Sequence, residues 1–140
     1  MIRIANTQDL IYVADMLRSM YIELFGDLAV RDIDTYFKEV CAHHINDSHY
    51  LYINEERTGF FVVLDITSPM APTMKRYNGD RVYIKPEARG ARLLYKFYAK
   101  LFEDFPDGDI LGYTETNSSH IKVLDKRHDL VCNVYKLKRS

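Results

Sequence analysis

The sequence has few cysteines, no long apolar run and almost no net charge. Its two cysteines, Cys41 and Cys132, show no spacing typical of a metal or redox site, so we expect buried thiols in a reducing compartment. No apolar segment approaches the roughly 20 residues that cross a membrane as a helix. The 19 basic and 20 acidic residues leave a net charge of -1, which argues against a general nucleic-acid binder. These features predict a cytoplasmic protein that binds neither membranes nor nucleic acid.

The chain is long enough for one domain and too short for two. With 140 residues, 47% of them hydrophobic, it can bury a substantial core. It contains no internal repeat, low-complexity tract or linker composition that would divide it. We therefore expect a single domain over residues 1–140.

Hydrophobic periodicity predicts a mixture of strands and helices, and so an α/β protein. Apolar residues recur at helical spacing in two early segments, and the next two runs are rich in β-branched and aromatic residues. The irregular segment 67–77, which contains Pro69 and Pro72, is expected to be a loop. The predicted strands are residues 2–5, 49–54, 59–66, 81–85, 109–115 and 130–137, and the predicted helices are residues 10–24, 32–44, the segment following Gly90, and 118–126.

The junction between strand 81–85 and the next helix is suited to hold an anion. Pro86 ends the strand, and small residues around Gly90 let a ligand approach the backbone where the first helix amides have no partners. Those amides and the positive end of the helix dipole favour a phosphate. A solvated helix face beside an ordinary turn explains the same spacing equally well. Four cations fall at spacings of three, four and four, and therefore on one stripe: Arg89, Arg92, Lys96 and Lys100.

The same junction resembles the pyrophosphate loop of the GNAT superfamily of N-acetyltransferases. In that family a bulged strand ends near a Pro-Glu pair, and the pattern Gln/Arg-x-x-Gly-x-Gly/Ala leads into a long helix. The central glycine of the pattern matches Gly90, whereas the first position is Glu87 and the last is Arg92. The order of the predicted elements over nearly the whole chain is also that of the superfamily.

The resemblance implies a fold, a cofactor and its contacts. The fold is the α/β acyl-CoA N-acyltransferase (GNAT-like) fold, a mixed, mostly antiparallel sheet with a splayed pair of fourth and fifth strands, flanked by helices. Acetyl-CoA would place its pyrophosphate on the loop amides and its pantetheine in the gap beside the fourth strand. The implied cofactor-binding residues are Val82, Tyr83, Ile84, Arg89, Gly90, Ala91, Arg92, Leu93 and Asn117.

The general acid that is usual in this family is missing. Family members often carry a Tyr seven residues after the position of Asn117, and that residue here is Leu124. General acid or base assistance typically contributes roughly a hundred-fold or more in rate, so an efficient enzyme would need a replacement. His120 and Tyr113 are the candidates. Each also has a structural explanation, His120 as a polar residue at a helix start and Tyr113 as a core or rim residue.

The sequence does not identify the acceptor. The resemblance implies an amine on a small molecule or a protein, bound near residues 20–31 and 67–77. Acidic side chains there could attract an ammonium or could simply be solvated. These acidic residues are Glu23, Asp27, Asp65 and Asp80.

The adjacent His43 and His44 do not predict a metal site. Neighbouring helix residues point about 100° apart, and no third ligand lies at a recognised spacing. We therefore expect no metal centre.

Two functions follow from the resemblance. The first is an enzyme, an N-acetyltransferase that moves an acetyl group from acetyl-CoA to an amine, and a homodimer is compatible with it. The second is a GNAT-like binding or structural protein without catalysis, such as a phage accessory or virion component, in which Arg92 and Leu124 would be natural. Binding of acetyl-CoA separates the two.

Overall fold

Strands and helices follow one another along the part of the chain that the computed structural model describes, which is residues 1–90, 92–112 and 138. The predicted helix 118–126 and strand 130–137 lie outside these residues, as does Cys132. In chain order the elements are β1 (Ile2–Ile4), α1 (Leu10–Phe25), α2 (Ile33–Ile45), β2 (His49–Asn54), β3 (Gly59–Asp65), β4 (Arg76–Ile84), α3 (Leu93–Asp104) and β5 (Asp109–Gly112).

The described strands form one mixed sheet in the order β1-β2-β3-β4-β5. The first three neighbouring pairs are antiparallel, and β4 pairs with β5 in parallel. Helix α3 makes the crossover that a parallel pair requires. The predicted mixed, mostly antiparallel α/β arrangement is confirmed. None of the described helices is both long and apolar enough to span a bilayer.

The sheet is covered on both faces, so residues 51–54 of β2 and 59–63 of β3 are buried although they point alternately to the two faces. Leu51 and Val62 belong to the core under α1 and α2, whereas Tyr52 and Val63 belong to the core under α3. This assignment follows from the alternation of side chains along a strand. It explains why β2 and β3 read as nearly continuous apolar runs rather than as alternating ones.

Helix α1 is longer than the core that it covers. Its residues Leu10, Val13, Ala14, Met16 and Leu17 are buried, and Met20 and Tyr21 are partly buried against the same core. Leu24 lies on the same predicted apolar face but is 65% exposed. Helical periodicity places a residue on a face, but only contact with the sheet buries it.

Strand β4 begins five residues earlier than the predicted strand 81–85 and includes the end of the predicted loop 67–77. It starts at Arg76, where its backbone pairs with β3 on one side and with β5 on the other. Backbone hydrogen bonds to both neighbouring strands hold these polar residues in an extended conformation, although their side chains do not predict a strand. Val62 opposes Arg81 and Val63 opposes Gly79, which leaves Asp80 as a bulge. The bulged strand that the resemblance implies is therefore present.

A buried carboxylate joins the first strand, the first helix and the β2–β3 turn. Asp9 is fully buried and forms ion pairs with Arg3 and with Arg57, the latter at 3.1 Å. The same carboxylate accepts a hydrogen bond from the backbone N–H of Asn6 at 2.8 Å, which closes a capping box. The hydrogen bond from Arg3, together with those from Asn6 and Arg57, holds the pKa of Asp9 well below its usual range against the effect of burial.

Candidate functional site

The last residues of β4 turn half of their backbone polar groups away from β3. The Lys85 N–H donates to the carbonyl oxygen of Thr58 at 2.8 Å, so Lys85 and every second residue before it face β3. The N–H and C=O groups of Val82 and Ile84 therefore point to the opposite edge, while those of Tyr83 point to β3. The Ile84 carbonyl accepts a hydrogen bond from Nε of Arg89 at 2.8 Å, which agrees with this direction.

The β4–α3 loop, residues 85–92, has a backbone that a ligand can approach. Gly90 has a φ of +86°, and a Cβ added there would find nothing within 4 Å. Helix α3 then begins at Leu93, and none of the described side chains caps its first amides. Arg92 precedes the helix in a left-handed conformation, with a φ of 62°. Open space at Gly90 and uncapped amides are what an anion requires.

The structure divides the predicted cationic stripe into paired and unpaired residues. Nζ of Lys100 lies 3.2 Å from Oδ1 of Asp104, and Nη2 of Arg89 lies 2.8 Å from Oε2 of Glu23. Arg92 and Lys96 are exposed and have no ion pair with any residue that the structure describes. The positive charge that is available for an anion therefore lies at the start of α3.

Glu23, Tyr83 and Arg89 form a cluster, here called the Glu23 cluster, which joins the last turn of α1 to the end of β4. The Tyr83 hydroxyl donates to Oε1 of Glu23 at 2.7 Å, and Nη2 of Arg89 donates to Oε2 at 2.8 Å. The guanidinium carbon of Arg89 lies 5.5 Å from the centre of the Tyr83 ring. The cluster thus places a carboxylate, a phenol and a guanidinium beside the outward-facing edge of β4.

The cluster shifts the protonation of two of its members. Burial raises the pKa of Tyr83 to about 12, and the hydrogen bond to Glu23 acts in the same direction. Burial opposes ionisation of Glu23, but the hydrogen bonds from Arg89 and Tyr83 outweigh it, so the pKa of Glu23 is lowered. Glu23 is therefore a stable carboxylate and Tyr83 a neutral phenol near neutral pH.

The predicted cofactor residues that are described lie along one path from β4 to α3. Val82 is 37% exposed at the edge, Tyr83 is buried, and Leu93 packs in the core beneath α3, so only its backbone can face a ligand. Ile84, Arg89, Gly90 and Arg92 lie between them. Ala91, Tyr113, Asn117 and His120 lie outside the described residues, so their contacts stay predictions.

Sequence reasoning did not join Glu23 to Arg89, which is 66 residues away. One signal was present, because a carboxylate in the last turn of a helix faces the negative end of the helix dipole. Such a residue needs a cationic partner or solvent. The sequence could not name the partner, since nothing in the spacing relates α1 to the β4–α3 loop.

A histidine pair also arises from tertiary contact. Nδ1 of His43 lies 2.8 Å from Nδ1 of His49, so one of these nitrogens donates a hydrogen bond that the other accepts. Burial, followed by the proximity of His49 and Arg81, lowers the pKa of His43. Among the described residues no three His, Cys, Asp or Glu side chains are grouped as a metal ion would require.

A groove of about 410 Å³ lies on the helical face, lined by Ile11, Tyr12, Asp15, Arg18 and Ile33. Asp15 and Arg18 form an ion pair at its side. No residue of β4 or of the β4–α3 loop lines it, so we do not assign the anion site there.

Comparison by sequence and by structure gives different results. No protein-family model and no curated protein matches this sequence. Solved structures match it over nearly its whole length. A possible acetyltransferase from Clostridium difficile 630 superimposes with a TM-score of 0.76 at 16% identity, covering 100% of this chain and 97% of that chain.

Two further structures carry more specific names. The ribosomal-protein-alanine N-acetyltransferase from Brucella melitensis biovar Abortus 2308 matches with a TM-score of 0.72 at 16% identity, covering 100% of this chain and 98% of that one. An aminoglycoside acetyltransferase from an uncultured soil metagenomic sample, in complex with sisomicin, matches with a TM-score of 0.65 at 10% identity, covering 99% of this chain and 96% of that one. This chain therefore has the GNAT fold that its sequence resemblance predicts.

Proposed function

We propose that this protein is an acetyltransferase that moves an acetyl group from acetyl-CoA to an amine. The observation that carries the proposal is the β4–α3 loop, where Gly90 leaves open space beside uncapped helix amides. The fold alone does not decide function, because one fold supports several activities. The loop adds a physical reason to expect a phosphorylated ligand at this place.

The described residues fit CoA in three respects. The space at Gly90 admits phosphate oxygens, and the exposed Arg92 and Lys96 supply positive charge beside them. The backbone groups of Val82 and Ile84 face outward and would pair with the amides of pantetheine. Acetyl-CoA would supply an activated acetyl thioester, while the protein would supply position and orientation.

The acceptor is proposed to be an amine. The two named relatives differ in acceptor, since one is named for ribosomal-protein alanine and the other was solved with sisomicin. Both are amine-bearing molecules, but their sizes differ greatly. We propose that the reaction takes place in the cytoplasm and that His120 or Tyr113 serves as the acid or base, as predicted from the sequence.

Two observations favour a second function, that of a GNAT-like binding or structural protein such as a phage accessory component. Nε of Arg89 donates a hydrogen bond to the carbonyl oxygen of Ile84, a backbone group that faces outward at the β4 edge. Arg92 places a large side chain where the family pattern has Gly or Ala. If both features persisted when CoA is present, they would obstruct the site.

A thermal-shift titration with acetyl-CoA and with free CoA distinguishes the two functions. Ligand that binds only the native state stabilises it by about 2.7 kcal/mol at 100 times its Kd. Saturable stabilisation, followed by release of free thiol with a panel of amines, would support the enzyme. Absence of stabilisation by either compound would refute CoA-dependent transfer, and binding without thiol release would favour the second function.

A further inference from the structure

The histidine pair, His43 and His49, joins α2 to β2 through a contact that depends on protonation. His43 lies in the last turn of α2, and His49 is the first residue of β2. The centres of their rings lie 4.9 Å apart and their Nδ1 atoms 2.8 Å apart. A hydrogen bond between these atoms needs a proton on one Nδ1 and a lone pair on the other. The contact therefore forms when both rings are neutral or when one is charged, and it is lost when both are imidazolium.

Charged groups on three elements face His43. Glu39 lies on α2 itself, His49 on β2, and Asp80 and Arg81 on β4. Burial lowers the pKa of His43, His49 and Arg81 act in the same direction, and the two carboxylates oppose them. The charge of Glu39 is already balanced, because Nη1 of Arg81 pairs with it. A second proton in the pair would therefore add a positive charge near an imidazolium and a guanidinium.

The same group of charges reaches the bulge of β4. Asp80 is the bulged residue, and Nε of Arg81 lies 3.6 Å from its carboxylate. Nη1 of Arg81 donates to Glu39, which lies one turn before His43 in α2. Val82, whose backbone groups are proposed to pair with pantetheine, follows Arg81 directly. Displacement of the end of α2 would therefore disturb β4 where the cofactor is proposed to bind.

We propose that the histidine pair is a pH-sensitive switch, in which a second proton separates the two rings, displaces the end of α2 and weakens cofactor binding at β4. The Arg81–Glu39 ion pair links α2 to the β4 bulge. The pKa of His43 is lower in the folded chain than the ordinary value of about 6.5, so its contribution to stability is fully present above about pH 6.5 and is lost as pH falls. The effect on the cofactor rests on the proposed function, whereas the effect on stability does not.

Urea unfolding from pH 7.5 to pH 5 tests the pair without any cofactor. A proton that the unfolded chain binds and the folded pair excludes raises the unfolding equilibrium constant about tenfold per pH unit. We expect this additional rise below about pH 6.5 in the wild type but not in His43→Gln, whose amide cannot become charged. His44→Gln, on the same turn but outside the pair, is the control and should follow the wild type. Parallel curves for the wild type and His43→Gln would overturn the switch.

NMR titration of the imidazole signals tests the same point in the wild-type protein, without any substitution. The pair should take up its second proton at a clearly lower pH than its first, because two charges at this distance interact strongly. One common step for both rings at the ordinary value of about 6.5 would overturn the switch.

Calorimetric titration with CoA at pH 7.5 and at pH 5.5 tests the link to β4. We expect the wild type to lose about fivefold more affinity than His43→Gln between these conditions, at the lower end of typical coupling between sites. Protonation of CoA itself is the same for both proteins and cancels in the comparison. Equal losses would refute the link. A protein that binds no CoA even at pH 7.5 would refute both the proposed function and the link, while unfolding and NMR would still decide the response of the pair to protons.

Discussion

The hydroxyl of Tyr83 donates a hydrogen bond to Oε1 of Glu23 across 2.7 Å, and this contact joins β4 to the last turn of α1. It explains why an acidic residue is stable at the negative end of a helix, since Arg89 supplies a charge and Tyr83 a donor to the same carboxylate. The contact also fixes the end of β4 relative to the last turn of α1.

Tyr83→Phe should lower the free energy of unfolding by about 1 kcal/mol, the cost of one hydrogen bond. It should also weaken the dependence of that free energy on pH in the alkaline range. The pKa of Tyr83 is raised to about 12 in the folded state, above its unfolded value of about 10. The neutral phenol therefore contributes stability that is fully present below about pH 10 and is lost as pH rises toward 12. Urea unfolding from pH 8 to 11.5 measures how steeply the free energy of unfolding falls as pH rises, and this fall should be shallower in the variant. Parallel curves would contradict the assigned shift.

Gly90→Val should reduce CoA affinity about tenfold or more, because a branched side chain enters the space proposed for phosphate. The left-handed backbone also costs about 1–2 kcal/mol of stability for a residue with a Cβ. Gly26→Val is the matched control, since Gly26 has a φ of +57° and equally open surroundings. Calorimetric titration should show lost CoA affinity only in the first variant. Wild-type affinity in Gly90→Val would remove the loop from the site.

Arg92→Gly should stabilise the fold and weaken CoA binding at the same time. Arg92 has a left-handed φ of 62°, and relief of that strain exceeds the entropic cost of glycine by about 0.5 kcal/mol. Loss of its charge should also flatten the dependence of CoA affinity on salt. Lys96→Ala removes a charge one turn later without the backbone effect and is the control. Tighter CoA binding in Arg92→Gly would identify Arg92 as an obstruction and favour the non-catalytic function.

Asp9→Ala should lower the free energy of unfolding by about 3 kcal/mol at neutral pH, since it removes the buried partner of two arginines. The pKa of Asp9 is held below its usual range, so its contribution is present above an unfolded pKa of about 4 and is lost as pH falls. Denaturant midpoints from pH 7 to 2.5 should converge for wild type and variant.

Asp15→Ala is the control for Asp9→Ala, because Asp15 also pairs with an arginine but is exposed at 52%. It should cost less than about 1 kcal/mol. Equal losses in the two variants would show that burial does not distinguish the two carboxylates.

His120→Ala should lower turnover more than CoA affinity if His120 transfers the proton that Leu124 cannot. General acid or base assistance contributes typically about 10²–10⁴-fold, and it acts on the reacting state rather than on binding. Steady-state thiol release and a separate CoA titration measure the two effects. Equal turnover in the variant and the wild type would exclude His120 from the chemistry and leave Tyr113 as the candidate.

The sequence by itself determined the elements whose patterns are local. The helical periods of α1 and α2 and the strands β2 and β3 lie where the residues predict them. The turn and helix start after Pro86 were also readable, because proline and glycine restrict or free the backbone whatever surrounds them. A helix cap or a side-chain period depends on neighbours within a few residues, so it survives in the sequence alone.

Tertiary structure decided the first half of β4, the burial limit of α1 and the partners of charged residues. Residues 76–79 form a strand because β3 and β5 pair with them, although their side chains favour a loop. Arg89 and Glu23, and likewise His43 and His49, meet only after the chain has folded. Ion pairs and backbone pairing are set by distance in space, and sequence spacing carries no information about that distance between separate elements.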